Sequence, residues 1–482
     1  MMNDNERKIK KAYDNLLSEN KVVAYRTKHD EDYILVRTKN QSVFGNIQSK
    51  RVITALKRLF YEYDNEFLGL DNDFLIPLIQ MSCYENKLSY DFVHRIYFDG
   101  TDYIYDLNQD DGLVLLINRE QISIVQTDEI FFKRGIDYKQ QIDPDLNSPA
   151  SNLLGYVKKH FNISTDEENI LFTLYLVSCF IPNINCPILN LYGEKGSGKS
   201  TFLRKVRDIV SPSSADLTGM PKNLDDLALR LCNTYYTCID NCSSIRREFS
   251  DLLARSCTGG SITKRKLYTD SDETLVNIKT HVAINSVSMV AKESDLLDRS
   301  LILHLSRVES EEMLTEEKLW ESFKKDMPQI LGSIFNILAE VLYDDEPIET
   351  TRLVRLADWH EKCIKIGRCL DIDEEKVNEI IWNNQHNVNR ITLDEDIISY
   401  TLISLLKRKK GEYTGSMSDL LKTLKLEARQ LAVSDSLLPK TPNHLSARLR
   451  KVQSNLEQEY GIVYSIKNKG AFKEITIIKK KK

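Results

Sequence analysis

Eight residues constrain this chain more than any others. They are Gly193-Glu194-Lys195-Gly196-Ser197-Gly198-Lys199-Ser200, set between the apolar run ILNLY (Ile188–Tyr192) and the helix-forming run TFLRKVRDIV that Thr201 opens. The spacing GxxxxGK[ST], after a strand and before a helix, requires a backbone that curls until successive N–H groups converge on one anion. Gly193, Gly196 and Gly198 permit the curl, the helix N-terminus adds its positive dipole end, and Lys199 reaches the outer phosphates of a triphosphate. The Ser200 hydroxyl would ligate magnesium. Gly193 through Thr201 is therefore the candidate site for ATP and Mg2+. A strand feeding a helix in this way predicts an α/β fold with a mostly parallel sheet.

Further apolar runs follow in the order such a sheet needs. TYYTCIDN carries Asp240 at its end, where a carboxylate would share the metal with Ser200. HVAIN ends in Asn285, an amide able to orient the attacking water, although a strand-ending Asn also starts turns. In DLLDRSLILHL, Arg299 stands just ahead of another apolar run. It has two readings, a guanidinium offered to a neighbouring subunit's γ-phosphate and an ordinary ion pair with Asp295 or Asp298. Lys199, Asp240, Asn285 and Arg299 are the candidate catalytic residues, with Ser200 and Asp240 as metal ligands.

At 482 residues the chain exceeds one hydrophobic core, and about three domains are expected. With 41% hydrophobic and 28% charged residues it reads as an ordinary folded protein. Nine cysteines occur without a CxxC pair, so neither a zinc ribbon nor a disulfide framework is indicated, and they read as reduced core residues. The longest apolar run, Ile170–Pro182, is too short to span a bilayer, and the N-terminus lacks a signal-peptide core, so a cytoplasmic protein without a membrane partner is expected.

Patterning divides the chain into an N-terminal α+β domain (1–150), an ATPase core (151–310), a helical connector or lid (311–390) and a C-terminal domain (391–482). Glu6–Ser18 and Lys50–Tyr63 read as helices, and HRIYFDGTDYIYDL as two strands about an Asp99-Gly100 turn. IDPDLNSP (Ile142–Pro149) reads as a linker. Trp320, Phe323, Met327, Ile330 and Leu331 share one helical face. The formal charge of -5 hides an uneven distribution, since Lys440–Lys482 holds eleven Lys/Arg against three Glu. There Leu445, Leu449, Val452 and Leu456 form a helical stripe, followed by two short strands about NKG: a helix, then a wing.

These motifs, with SCTGGSITKRKLYTDSDETLVNIKTHVAIN, RLADWHEK and LLPKTPNHLSARLRKVQSNLEQEYGIVYSIKNKGAFKEITII, resemble the superfamily-3-like and minichromosome-maintenance-like AAA+ helicases of phages, plasmids and staphylococcal mobile islands. The resemblance covers about residues 90 to 480. It implies an AAA+ P-loop core ending in a winged helix, a homohexamer threading DNA, ATP at subunit interfaces, and an arginine given in trans, carried onto Arg299. It implies a replication initiator that is a DNA helicase. One departure matters, because Asn241 follows Asp240 where many such helicases place a water-activating Glu. The base is therefore unassigned: Asp240 and Asn285 organise water alone, or a distant carboxylate such as Glu248 contributes. The departure keeps open a second class, an ATP-gated DNA-binding initiator or loading scaffold that unwinds nothing.

DNA, both single-stranded and origin duplex, is the expected partner. ITKRKLYT and ETLVNIKT alternate as two strands of a hairpin whose Lys264, Arg265, Lys266 or Lys279 could grip phosphates. A charged edge hairpin with an acidic tip fits the same pattern. In the C-terminal domain, Arg448, Arg450 and Lys451 on the helix and Lys467, Lys469 and Lys473 on the wing are the candidate contacts. The alternative there is a winged helix that docks protein.

Overall fold

Four short apolar runs lie side by side in the order Ser300–His304, Ile188–Tyr192, His281–Ser286, Tyr236–Ile239, and every pairing is parallel. Nearly all their residues are buried, as expected of strands covered on both faces. The computed structural model describes residues 3–39, 42–64, 72–109, 112–127, 132–135, 137–265, 273–291, 293–308, 315–350, 352–469 and 472–480. It is a mixed α/β structure about this four-stranded parallel sheet. The helix Lys199–Val210 packs Phe202, Leu203, Val206 and Ile209 against the sheet and leaves its N-terminus at the strands' C-terminal edge.

The helix Glu316–Tyr343 buries Phe323, Met327, Ile330 and Leu331, with Trp320 packed alongside, so the expected apolar face is the one used. The stretch Ile142–Pro149 has no regular structure, as its composition suggests, but it is fastened and not free. Asp145 donates its N–H to Pro328 O at 2.8 Å, and Asn336 Nδ2 donates to Ser148 O at 2.8 Å. The helix offers Gly332 at this crossing, where a Cβ would stand 1.8 Å from Asp145 O.

Residues before 130 form two antiparallel sheets. Val22–Arg26, Asp32–Arg37 and Ser42–Asn46 pair in order and share a core with the helices Asp4–Ser18, Lys50–Asp64 and Asn72–Glu85. The two helices read from periodicity are present, whereas this sheet was not legible. Ile96–Phe98, Tyr103–Asp106, Leu113–Ile117 and Ile122–Gln126 form a meander, with Gly100 at φ 108° in its first turn. The meander's Tyr105 and Leu115 belong to the same hydrophobic cluster as the parallel sheet. Arg95, fully buried, clamps the end of the Lys199–Val210 helix by donating Nε to Ser211 Oγ at 3.1 Å, with its guanidinium over the Tyr138 ring.

At the other end, helices Ile397–Arg408, Met417–Gln430 and Pro442–Tyr460 pack on a three-stranded antiparallel sheet with a separate core. Its order is Glu412–Ser416, Phe472–Lys479, Ile462–Lys469. Leu445, Leu449 and Leu456 are buried and Val452 is half-buried. Gly470, at the expected turn, lies outside the described residues. Among the described residues no helix is long and apolar enough to cross a membrane.

Candidate active site

Gly193 follows the central strand directly at φ 155°, and a Cβ there would lie 2.2 Å from Leu305 O, so the loop can start only with glycine. Gly198, at φ 78°, is the N-cap of the Lys199–Val210 helix and turns its first N–H groups toward the loop. Lys199 folds back over the loop and spends its ammonium on the loop's own acceptors. It donates to Gly193 O and Glu194 O at 2.7 Å and to Ser197 Oγ at 3.2 Å. Burial lowers its pKa from the usual lysine value, partly offset by the Asp240 carboxylate.

Parallel register puts the next groups at the same edge. Ser286 stands opposite Tyr192, and Ile284 opposite Ile239, so Asp240 and Asn285 emerge beside the loop. Ser200 Oγ donates to Asp240 Oδ1 at 2.8 Å, and Asn285 Nδ2 donates to the same oxygen at 2.5 Å. Asn285 Oδ1 accepts the Asn241 N–H at 2.6 Å, so both ends of this buried amide are fixed. Asn241 itself has a left-handed backbone, φ 50°. An open cleft runs from Lys195 past Gly196 and Thr201 to Asp240, Asn285 and Val287. Its floor can take phosphates on backbone N–H groups and Lys199. The hydroxyl of Ser200 and carboxylate of Asp240 are hard oxygen donors that fit magnesium, which fills its other positions with phosphate and water.

Arg299 is not brought to this cluster. Ser300 pairs with Ile188 and His304 with Tyr192, so Arg299 sits at the sheet's opposite edge, about 20 Å along the strand from the loop of its own protomer. Its guanidinium pairs with Asp295, a carboxylate also held by Arg355 at 2.8 Å. Its Nε is buried without a hydrogen-bond partner. Glu248 pairs with Arg246 at 3.1 Å, both exposed, and does not line the cleft.

Two residues by the loop escaped sequence reasoning. Asn162 Nδ2 donates to Ser197 O at 3.1 Å and to Ser306 O at 2.7 Å, lacing the loop to the segment after the outer strand. Exposed Arg307 places Nε 4.0 Å from where a Cβ on Gly196 would stand. The signal for Arg307 was present: a cation shortly past the C-terminal end of a parallel strand falls where such sheets bind ligands.

The basic candidates divide. Lys264 and Arg265 lie on the strand Gly260–Arg265, paired antiparallel with Glu273–Ile278, and exposed Lys279 follows that second strand. Lys266 and most of the acidic tip lie outside the described residues. Arg450, Lys451 and Lys467 are exposed, although Lys451 Nζ comes within 3.8 Å of Glu293. Arg448 is half-buried and paired with Asp396, which caps the helix Ile397–Arg408. Lys469 stands opposite Phe472 and Lys473 opposite Asn468, near the end of the paired strands Ile462–Lys469 and Phe472–Lys479.

Residues 154–375 match a family model described as actinomycete integrative conjugative element replication protein, and residues 398–482 match the model of that family's RepA C-terminal domain. No curated protein matches the chain. Similar solved structures include SCCmec type IV Cch, titled an active helicase, at 12% identity over 95% of this chain and 93% of that one, TM-score 0.46. The apo NrS-1 C terminal region is similar at 11% identity over 99% and 100%, TM-score 0.40.

Proposed function

We propose that the chain is an ATP-dependent DNA helicase of the AAA+ type that acts as a replication initiator of a mobile genetic element. The observation that carries this reading is the convergence of Lys199, Ser200, Asp240 and Asn285 at one sheet edge beside a glycine loop. Two matched segments, both named for a replication protein, support the replication role. The strand order of the parallel sheet supports the AAA+ assignment. A helix, strand, two helices and two paired strands from Ile397 to Lys479 support a winged helix.

In this reading Gly193–Thr201 cradles the triphosphate and Lys199 releases its loop acceptors to bind the outer phosphates. Magnesium held by Ser200 and Asp240 would neutralise charge developing on the transferred phosphoryl oxygens. Asn285, with its oxygen held by the Asn241 N–H, presents Nδ2 toward the carboxylate and orients water between them. Arg299 acts on the neighbouring protomer in a homohexamer, since it cannot reach its own loop. The strand pair at Gly260–Ile278 grips single-stranded DNA, and the winged helix holds duplex. The division at 150, 310 and 390 belongs to the proposal, as does a cytoplasmic location. The core shared by the meander and the parallel sheet favours drawing the first boundary before Ile96.

Asn241 in place of a Glu favours a second reading, an ATP-gated initiator that assembles on DNA and unwinds nothing. One comparison separates them: ATP turnover with and without single-stranded DNA, beside unwinding of a forked duplex, for wild type and Lys199→Ala. The helicase reading expects DNA-stimulated turnover with strand separation, both lost in the variant. DNA-stimulated turnover without separation selects the scaffold, and no turnover at all removes both.

A further inference from the structure

Beneath the parallel sheet, at the edge opposite the glycine loop, two cysteines seven residues apart converge with a histidine almost a hundred residues further on. Cys179 caps the helix Asp166–Ser178, Cys186 lies in the segment leading to the strand Ile188–Tyr192, and His281 opens the strand His281–Ser286. Their ligand atoms lie within 4.8 Å of one another. Both cysteines are buried and His281 is half-buried; its enclosed Nδ1 meets no nitrogen or oxygen partner, and the Cys186 thiol is the polar group its ring interacts with. Two thiols and an imidazole that face one another inside a fold, with no oxygen acceptor at the enclosed imidazole nitrogen, form a soft donor set of the kind that holds a metal.

We propose that Cys179, Cys186 and His281 form a structural site for a thiophilic divalent cation, zinc. Two sulfurs and a nitrogen, with no carboxylate among them, favour zinc over magnesium or calcium. Charge supports the same choice, because a divalent ion with two thiolates and a neutral imidazole sums to zero and suits an apolar interior. Binding releases two protons, one from each thiol, and forms two metal–sulfur bonds and one metal–nitrogen bond without any redox change. Zinc–ligand bonds of about 2.0–2.3 Å put tetrahedral donors within about 4 Å of one another, which lies inside the 4.8 Å limit that these three atoms meet.

The surroundings are built to hold these ligands. Tyr235 donates its hydroxyl to Cys179 O at 2.6 Å, and its ring meets His281 edge-on with centroids 5.0 Å apart. The Cys257 thiol donates to Cys186 O at 2.7 Å and so holds the backbone that carries one of the ligands. The ion would tie a helix end to the starts of two strands, one of which carries Asn285 at its far end, and so stiffen the frame of the cleft.

The test uses the full-length chain without an affinity tag, reduced, stripped with chelator, supplied with Zn2+ and desalted, with bound metal read by elemental analysis. Wild type and Cys363→Ser, which alters a buried cysteine outside the trio, should each retain about one zinc per chain. Cys186→Ser and His281→Gln should each retain less than about a fifth of that. Co2+ in place of zinc should give a thiolate-to-metal absorption band in wild type that both variants lack. His281→Gln keeps both thiols and a polar side chain, so it stays informative if Cys186→Ser misfolds. Wild type without zinc above the buffer level overturns the proposal, as does equal retention by a folded His281→Gln protein. A Cys179–Cys186 disulfide in protein isolated without reductant, with no zinc uptake after reduction, also overturns it.

Discussion

Asn285 donates its side-chain amide to Asp240 Oδ1 over 2.5 Å, while its own oxygen holds the Asn241 N–H. The amide is therefore locked in one orientation, with its donor end at the carboxylate and its acceptor end on the backbone of the residue that replaces the expected Glu. In the proposed mechanism water-positioning falls to this fixed amide and not to a general base. Asn285→Ala should lower ATP turnover about 100-fold while leaving nucleotide affinity little changed, because the phosphate cradle is untouched. Steady-state turnover beside equilibrium binding of a fluorescent ATP analogue checks this. Unchanged turnover would remove Asn285 from the chemistry.

Lys205 gives a pH signature. It is buried on the Lys199–Val210 helix, donates to His160 O at 2.7 Å and lies over the Phe323 ring. Burial lowers its pKa from 10.5 to about 8. Below pH 8 it is charged in both folded and unfolded chains, and the cost of burying it is constant. From pH 8 to 10.5 the unfolded chain binds the extra proton, so folding gains stability as pH rises. Lys205→Met lacks this gain. Urea unfolding of both proteins at pH 7 to 10 should show wild type improving against the variant by roughly 1–3 kcal/mol. A difference independent of pH would contradict the buried charge.

The C-terminal cations should not behave alike. Exposed Arg450 and Lys467 are available to phosphates, whereas Arg448 is engaged by Asp396, which also accepts the Ser399 N–H at 2.9 Å. Arg450→Glu and Lys467→Glu should weaken duplex binding and flatten its salt dependence by about one unit of log–log slope each. Arg448→Ala should instead cost stability, roughly 0.5–1 kcal/mol for a half-exposed pair. Anisotropy titrations at several salt concentrations, with thermal melting, separate the two outcomes. A protein-docking winged helix would show no change in DNA affinity for any of the three.

Much of the central sheet was legible because its strands are bounded by residues that cannot continue them. Pro187 and Gly193 frame Ile188–Tyr192, and the structure has that strand end for end. Asp240 and Asn285 were legible because each is a polar residue that closes an apolar run. Tertiary relations were not legible. The strand Glu412–Ser416, reading EYTGS, has no apolar alternation, and its place is set by the neighbouring strand Phe472–Lys479. Arg448 reads as a free cation until Asp396, fifty-two residues earlier, is seen beside it. Cys179 and Cys186 lie seven residues apart without a metal-binding motif, and only the fold brings His281 to them.

The central claim is that a triphosphate bound at Lys199 and Asp240 of one protomer is cleaved with help from Arg299 of the next. Mixing Lys199→Ala and Arg299→Ala proteins tests it directly, because only mixed interfaces combine an intact loop with an intact guanidinium. Each variant alone should be nearly inactive, and ATP turnover should rise on mixing to a maximum near equal amounts. No recovery at any ratio, from variants that each still assemble on DNA, would contradict a site shared between subunits.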